Sequence, residues 1–495
     1  MTISSAFNGA LSGLQVFSKM SEVISSNIAN ATTPGYATRS LDIASREASA
    51  GVSVTGISRK SDPAVLQTRR ITEAETSAAQ LMGDFYARFL SDVGTPDDPS
   101  SLSARMTRFE TTLLEAASFP DAPVRLDAVA NAAADVVAKF NSVAKSISDA
   151  RSTADAAISN SVEQLNDLLG SIDILNTQVS TFEVKGLETA SLLDQRQLLI
   201  DEVNALIPVN EISRPNGQIA LFTSGGAILL DGQPAEIEFT PANTVTVFQR
   251  VESGTLSGLT IGGRPIEPGG AEGPIAGGKL AAQFNIRDVA SIEAQTQLDA
   301  AARDLVERLQ NQTVDPSLAS GVPGLFTDRG TRFEAQNEIG LSNRLSLNDV
   351  INPNALSETW RLRSGLGTAA PGPVGDATLL NAMSTALVAK REPASGDLGV
   401  ASVSSSDFFS RLSSWAGNKS NIAERSLSFL SAGLTEAKQA ELSLGVDTDE
   451  QLQNLLIVER SYAPKAQIQQ TVDHMIETLY QLSILYPSAP DADKP

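Results

Sequence analysis

The chain has 495 residues, and its 58 acidic against 37 basic side chains give a net charge of −21. That balance repels phosphate backbones and anionic lipid headgroups, so nucleic-acid and membrane-surface binding are poor readings. Cysteine is absent and His474 is the single histidine, which removes disulfides, thiolate zinc sites, cysteine nucleophiles and, unless His474 serves it, any Ser-His-Asp arrangement.

The length suits about three domains. With aromatics at 5% and hydrophobic residues at 41%, the interior must be mostly Leu, Ile, Val and Ala. Met1 to Ala10 lack a basic stretch and a continuous apolar run, so no cleaved secretory signal is expected. No window reaches about 18 uninterrupted apolar residues, so no bilayer span is expected either. Residence in the cytoplasm and export without a cleaved peptide both fit.

At the N-terminus, Ile3, Phe7, Ala10, Leu14, Phe17, Ser21, Ile24 and Ile28 step alternately by four and three, and seven of the eight are apolar. This is a heptad seam on a helix. Thr33 before Pro34 leaves the helical region and Gly35 can turn the chain. Short strand-like pieces such as Val52 to Ile57 follow.

Residues 63–206 read as helix, broken at 94–100, where Ser100 or Ser101 can cap the next helix, and at 119–123. From Val209 the period changes. Asn216-Gly217 between two apolar runs signals a hairpin, and Ile228 to Leu230, Ile237 to Phe239 and Val245 to Phe248 read as further strands. Residues 251–278 hold nine glycines and three prolines, too many for a helix. Helix resumes from about Lys279 to Gln312, and 314–375 is irregular. Helices are expected again over 376–389, 405–444 and 448–485, the last carrying Leu455, Val458, Tyr462, Val472, Ile476 and Leu479 on one stripe. Pro464 should kink it. The tail 487–495 reads as disordered.

The expected fold is mainly α with a small inserted β domain. Long N- and C-terminal helices pair in a coiled-coil-like manner, beside a helical bundle domain and a short outer β domain. The expected divisions are 1–60 (N-terminal assembly helix and extended linker), 61–208 (helical domain, first part), 209–278 (inserted β domain), 279–444 (helical domain, second part) and 445–495 (C-terminal assembly helix and tail). Each end helix has a stripe to bury and no obvious surface of its own. Both can be ordinary core helices of one domain, or together they can form a polymerisation module.

Ser4-Ser5-Ala6-Phe7-Asn8-Gly9-Ala10-Leu11-Ser12-Gly13-Leu14, Ser26-Asn27-Ile28-Ala29-Asn30 and Pro34-Gly35-Tyr36 resemble the N-terminal signature of the flagellar rod, hook and hook-associated proteins. Gly445-Val446-Asp447-Thr448-Asp449-Glu450, with Leu455 and Tyr462, is similar to the family's C-terminal signature. Phe109 to Asn141, Leu192 to Glu202 and Gly277-Gly278-Lys279-Leu280 resemble the hook-associated branch. The short β region departs from larger relatives, which carry a second outer domain.

The resemblance implies a structural subunit at the junction of hook and filament, extracellular, exported unfolded by the flagellar type III apparatus. Its implied partners are further copies of itself in a ring, the hook protein, the second junction protein and an export chaperone at the C-terminal segment. The expected assembly interface is Ile3, Phe7, Leu14, Phe17, Ile24, Asn27, Ile28, Asn30, Leu455, Val458, Tyr462, Val472, Ile476 and Leu479. Another axial protein (hook, distal rod or the second junction protein) is the alternative, and an extracellular adhesin a weaker one.

No catalytic residue, metal or cofactor is expected. Paired carboxylates can catalyse without His or Cys, but Asp97-Asp98 and Asp201-Glu202 read as solvated carboxylates and His474 as a surface or seam residue. Gly365-Leu366-Gly367 lacks the preceding strand and third glycine of a dinucleotide fingerprint.

Overall fold

The computed structural model describes residues 3–46, 51–267, 273–399 and 401–485; the tail 487–495 lies outside them. Helix α1 (Ile3–Ala29) follows the heptad seam, and Asn30 closes it by donating from its backbone and side-chain nitrogens to the Ser26 carbonyl. Gly35 then reverses the chain at φ +76°. Strands β1 (Thr38–Ser45) and β2 (Val52–Lys60) form an antiparallel hairpin that lies along α1, with a bulge at Asp42/Ile43.

Asp62 caps α2 (Pro63–Val93), its carboxylate accepting from the Ala64 and Val65 amides, and Pro63 fills the first turn, where no amide is needed. Ser101 caps α3 (Leu102–Ser118) through the Ala104 amide. Helix α4 (Pro123–Val184) runs 62 residues, and α5 (Ala190–Leu206) folds back along it.

The β segment is a four-stranded antiparallel sheet, β3 (Val209–Ser213), β4 (Ile219–Thr223), β5 (Ile228–Asp231) and β6 (Gln233–Pro234), followed by a three-stranded one, β7 (Ile237–Glu238), β8 (Leu259–Ile261) and β9 (Arg264–Ile266). Asn216 and Gly217 both take left-handed backbone between β3 and β4, as an Asn-Gly hairpin turn requires. Val245 to Phe248, predicted as a strand, is not one. Its backbone pairs with α4 side chains instead: the Val245 amide donates to Ser152 Oγ and the Thr246 carbonyl accepts from Arg151 Nη1.

Helix α6 (Gly278–Asn285) passes through a π-helical turn (Ile286–Ala290) into α7 (Ser291–Leu309). The irregular stretch that follows holds β10 (Phe326–Asp328), α8 (Leu341–Arg344), β11 (Leu345–Leu347) and α9 (Arg361–Ser364). Then come α10 (Thr378–Val388), α11 (Ser405–Leu442) and α12 (Thr448–Leu485), which continues through Pro464. The mainly helical architecture with small antiparallel sheets is the one the sequence predicts.

Two apolar cores share α4. Its first half, from Leu126 to Ala154, packs with α3, α7, α10 and the start of α11. Its second half, from Ile158 to Ile172, packs with α5, α6 and the β segment. Between the cores sits a buried ion pair, Arg287 Nη1 to Asp155 Oδ1 at 2.8 Å, with both side chains fully enclosed. Arg287 also lies over the Phe239 and Phe284 rings and donates to the Ser257 carbonyl, while Asp155 accepts from the Ala242 amide. A buried pair is tolerable only when such further bonds satisfy both ions.

The chain leaves the terminal helices along α2 and returns along α11. Arg69 meets Glu441, Glu73 meets Lys438 and Phe89 meets Trp415, so the two helices run antiparallel.

Candidate assembly site at the root of the terminal helices

Helices α1 and α12 lie side by side, antiparallel, with the C-terminal end of α1 at the start of α12. Leu14, Ile24 and Val458 are buried on these helices, and the root of the contact is polar. Asn27 is 1% exposed, and all its hydrogen-bonding capacity is used. Its Nδ2 donates to the Arg39 carbonyl (2.9 Å) and to Gln451 Oε1 (3.1 Å); its Oδ1 accepts from the Tyr36 hydroxyl (2.8 Å) and the Arg39 amide (3.0 Å). One side chain therefore joins α1, the reversal at Gly35-Tyr36, the first hairpin strand and α12. Desolvating an amide is tolerable only because every donor and acceptor is matched.

The other face of α1 carries the hairpin. Ser12, also buried, accepts from the Val52 amide and donates to the Gly9 carbonyl. The hairpin base is clamped to α5. Asp194 takes Arg39 Nη2 at 2.8 Å and Arg59 Nε at 2.7 Å, and Arg59 Nη2 reaches Gln197 Oε1 at 2.7 Å. Leu198 on α5 lies against Gly35, where an added Cβ would come within 2.7 Å of it.

One turn on, Asp201 pairs with both Arg69 (2.7 Å) and Arg70 (2.6 Å) of α2. The sequence reading of Asp201 as a solvated carboxylate is thus corrected: its two partners are more than a hundred positions away. Burial works against the charge on Arg69, yet Asp201 and Glu441 hold its pKa above the ordinary value. Helix α5 is in this way the bracket between the terminal helices and the body.

The residues expected from the sequence at the interface fall as follows. Leu14, Ile24, Asn27, Val458 and Val472 are buried; Phe7, Phe17, Ile28, Asn30 and Leu455 are half-buried; Tyr462 and Ile476 are exposed. The side chains of Ile3 and Leu479 lie outside the described residues. Phe17, Leu455, Val458 and Tyr462 line an open groove of about 960 Å³ between the two helices.

Gln451, Ser12, Asp194, Arg39 and Arg59 were not singled out. Gln451 was within reach, because it stands four residues before Leu455 and extends the 455–458–462 stripe by one step. His474 is exposed on α12. Among the described residues no group of three or more His, Cys, Asp or Glu is placed to hold a metal ion, and no helix is long and apolar enough to cross a membrane.

An antiparallel pair of terminal helices, rooted in a hairpin and carried by a helical body, defines a mainly helical subunit whose two chain ends meet. Residues 7–36 match the family of flagella basal body rod proteins, and residues 92–322 match the helical domain of flagellar hook-associated protein FlgK. Over these two segments the chain is similar to flagellar rod and hook-associated proteins.

Flagellar hook-associated protein 1 of Salmonella typhimurium is 28% identical over 243 residues, 47% of this chain and 44% of that protein. The Escherichia coli protein of the same name is 26% identical over the same shares. That of Bacillus subtilis is 24% identical over 275 residues, 49% of this chain and 52% of that protein. The chain thus spans about half the length of the curated relatives it matches. These relatives are named as hook-associated proteins of the flagellum, not as enzymes. The solved flagellar hook junction protein FlgK from Burkholderia pseudomallei shares 19% identity over 53% of this chain and 46% of that one, with a TM-score of 0.42.

Proposed function

We propose that this protein is a structural subunit of the flagellar axis at the junction of hook and filament, polymerising through α1 and α12. The observation that carries the reading is the unequal covering of α12. The helix is tied to α1 at Asn27–Gln451, yet Leu452, Leu456, Ile457, Tyr462 and Ile476 stand exposed. Completing the burial of such half-covered side chains is favourable by roughly 1 kcal/mol each, and a lone chain forgoes that gain. Further copies of the same helices are the occupants the flagellar resemblance supplies.

On this reading Phe7, Leu14, Phe17, Ile24, Leu455, Val458 and Val472 form the seam within a subunit, and Tyr462 and Ile476 face neighbours. The chain leaves the cell unfolded through the flagellar type III apparatus, with a chaperone shielding the α12 stripe beforehand. Outside the cell it meets the hook protein on one side and the second junction protein on the other. Having no cysteine, it needs no oxidative step to refold. The test is electron microscopy of a clean deletion strain, with the medium assayed for flagellin. Bare hooks and flagellin lost to the medium are the expected result; missing hooks would move the protein inward to rod or hook, and intact filaments would overturn the reading.

A further inference from the structure

A second feature lies beside the α5 bracket, away from the apolar seam. The start of α2, the middle of α5 and strand β3 enclose a cavity of about 260 Å³, lined by Arg59, Arg70, Arg196, Asn210, Glu211 and Ser213 among others. Three guanidinium groups converge there, and they are not equally compensated. Arg59 is paired with Asp194, and Arg70 with Asp201 and Glu211.

Arg196 is 6% exposed and, among the described residues, forms no ion pair. Its Nη1 donates to two neutral acceptors, Asn176 Oδ1 (2.9 Å) and the Gly217 carbonyl (2.8 Å). That leaves the Nε and Nη2 hydrogens of a buried cation without a protein acceptor at the wall of a polar cavity. Glu211 and Glu183 act on this charge without a hydrogen bond or ion pair to it, and burial outweighs them; an anion in the cavity would complete the coordination of the guanidinium.

We propose that this cavity binds a small oxyanion, with Arg196 as its principal ligand and Arg59 and Arg70 as flanking donors. A planar guanidinium offers paired N–H groups that match two oxygens of a tetrahedral or carboxylate anion. Glu211, the one carboxylate in the lining, is tied to Arg70 at 3.2 Å and restricts the site to a compact anion. Asp194 and Asp201 approach Arg59 and Arg70 through ion pairs of their own and are absent from the lining. The inference does not rest on the assembly reading.

The experiment uses the full-length protein, with inorganic phosphate and sulfate as probes and sodium chloride at equal ionic strength as the reference, since sulfate stabilises folded proteins generally. Calorimetric titration and melting temperature are read for the wild type, Arg196→Gln and Asn210→Asp. Asn210 is exposed, and its Oδ1 accepts from Gln67, so aspartate keeps that bond while adding a negative charge to the lining. Saturable binding by the wild type, weakened about tenfold or more in Arg196→Gln and reduced in Asn210→Asp, is expected. No saturable binding, or equal stabilisation of wild type and Arg196→Gln, would overturn the site. If Arg196→Gln does not fold by circular dichroism, undiminished binding in Asn210→Asp overturns it instead.

Discussion

Asn27 and Gln451 stand 424 positions apart in the chain and meet through a buried hydrogen bond of 3.1 Å. An apolar seam can slide by a heptad at little cost, since one Leu resembles the next. A buried amide cannot, because every other register leaves it unpaired. This pair therefore sets how α12 lies on α1, and the remaining bonds of Asn27, to Tyr36 and Arg39, set how both leave for the body.

Replacing Asn27 by Ala removes four bonds and strands the Gln451 and Arg39 groups in a dry contact. The loss is expected to be about 1–3 kcal/mol in local stability. Amide exchange should quicken in α1 and the first turns of α12 while α4 is unaffected; exchange unchanged in all three would remove Asn27 from this role.

Asp194→Asn addresses the hairpin clamp. Asp194 is the shared counter-ion of Arg39 and Arg59, whose side chains are only 19% and 13% exposed. Neutralising it leaves two mostly buried guanidinium groups short of charge, at a cost of about 2–4 kcal/mol. Limited proteolysis between residues 37 and 61 reads the effect. A hairpin as resistant as in the wild type would mean that packing of Leu198 on Gly35 suffices.

Much of this architecture could be read from local signals, and the exceptions share a cause. The heptad of α1, the Asn216-Gly217 turn and the Asp62-Pro63 helix start are decided by residues within a few positions of one another. Val245 to Phe248 carries the alternation of a strand, but Arg151 and Ser152, distant in sequence, claim its backbone. Asp201 looks solvated beside Glu202, until α2 brings Arg69 and Arg70 to it. At the joint, Asn27 was visible within its motif and Gln451 on an extension of the α12 stripe, whereas Asp194 acquires its meaning only when remote segments come together.

Glu110 provides a pH test within the body. Burial raises its pKa above the ordinary value, with Arg308 opposing and Asp407 adding to the shift, and its Oε1 is enclosed without a hydrogen-bond partner. An acid whose folded pKa is raised contributes its stability below the unfolded pKa and loses it as pH rises through the folded pKa. Above that pKa the wild type therefore carries an ionised carboxylate in a poor site. The advantage of Glu110→Gln over wild type in melting temperature should grow as pH rises through that pKa, by on the order of 1 °C, and vanish as pH falls below the ordinary glutamate value of about 4.3. A difference that is constant with pH would assign it to packing.

The double substitution Leu14→Asp with Phe17→Asp separates folding of the body from assembly. Leu14 is 9% exposed and lies in the seam, and Phe17 lines the groove facing Leu455, Val458 and Tyr462. Neither belongs to the two cores along α4. Two carboxylates there would have to ionise inside an apolar contact, costing several kcal/mol and detaching α12 from α1. The body should keep its melting transition to within about 2 °C, because its cores are built elsewhere. Incorporation into flagella, followed by immunogold labelling of purified filaments, should be lost while the exported protein accumulates in the medium. If the body's transition collapses with the seam, α1 and α12 are core helices of one cooperative domain and the module reading falls.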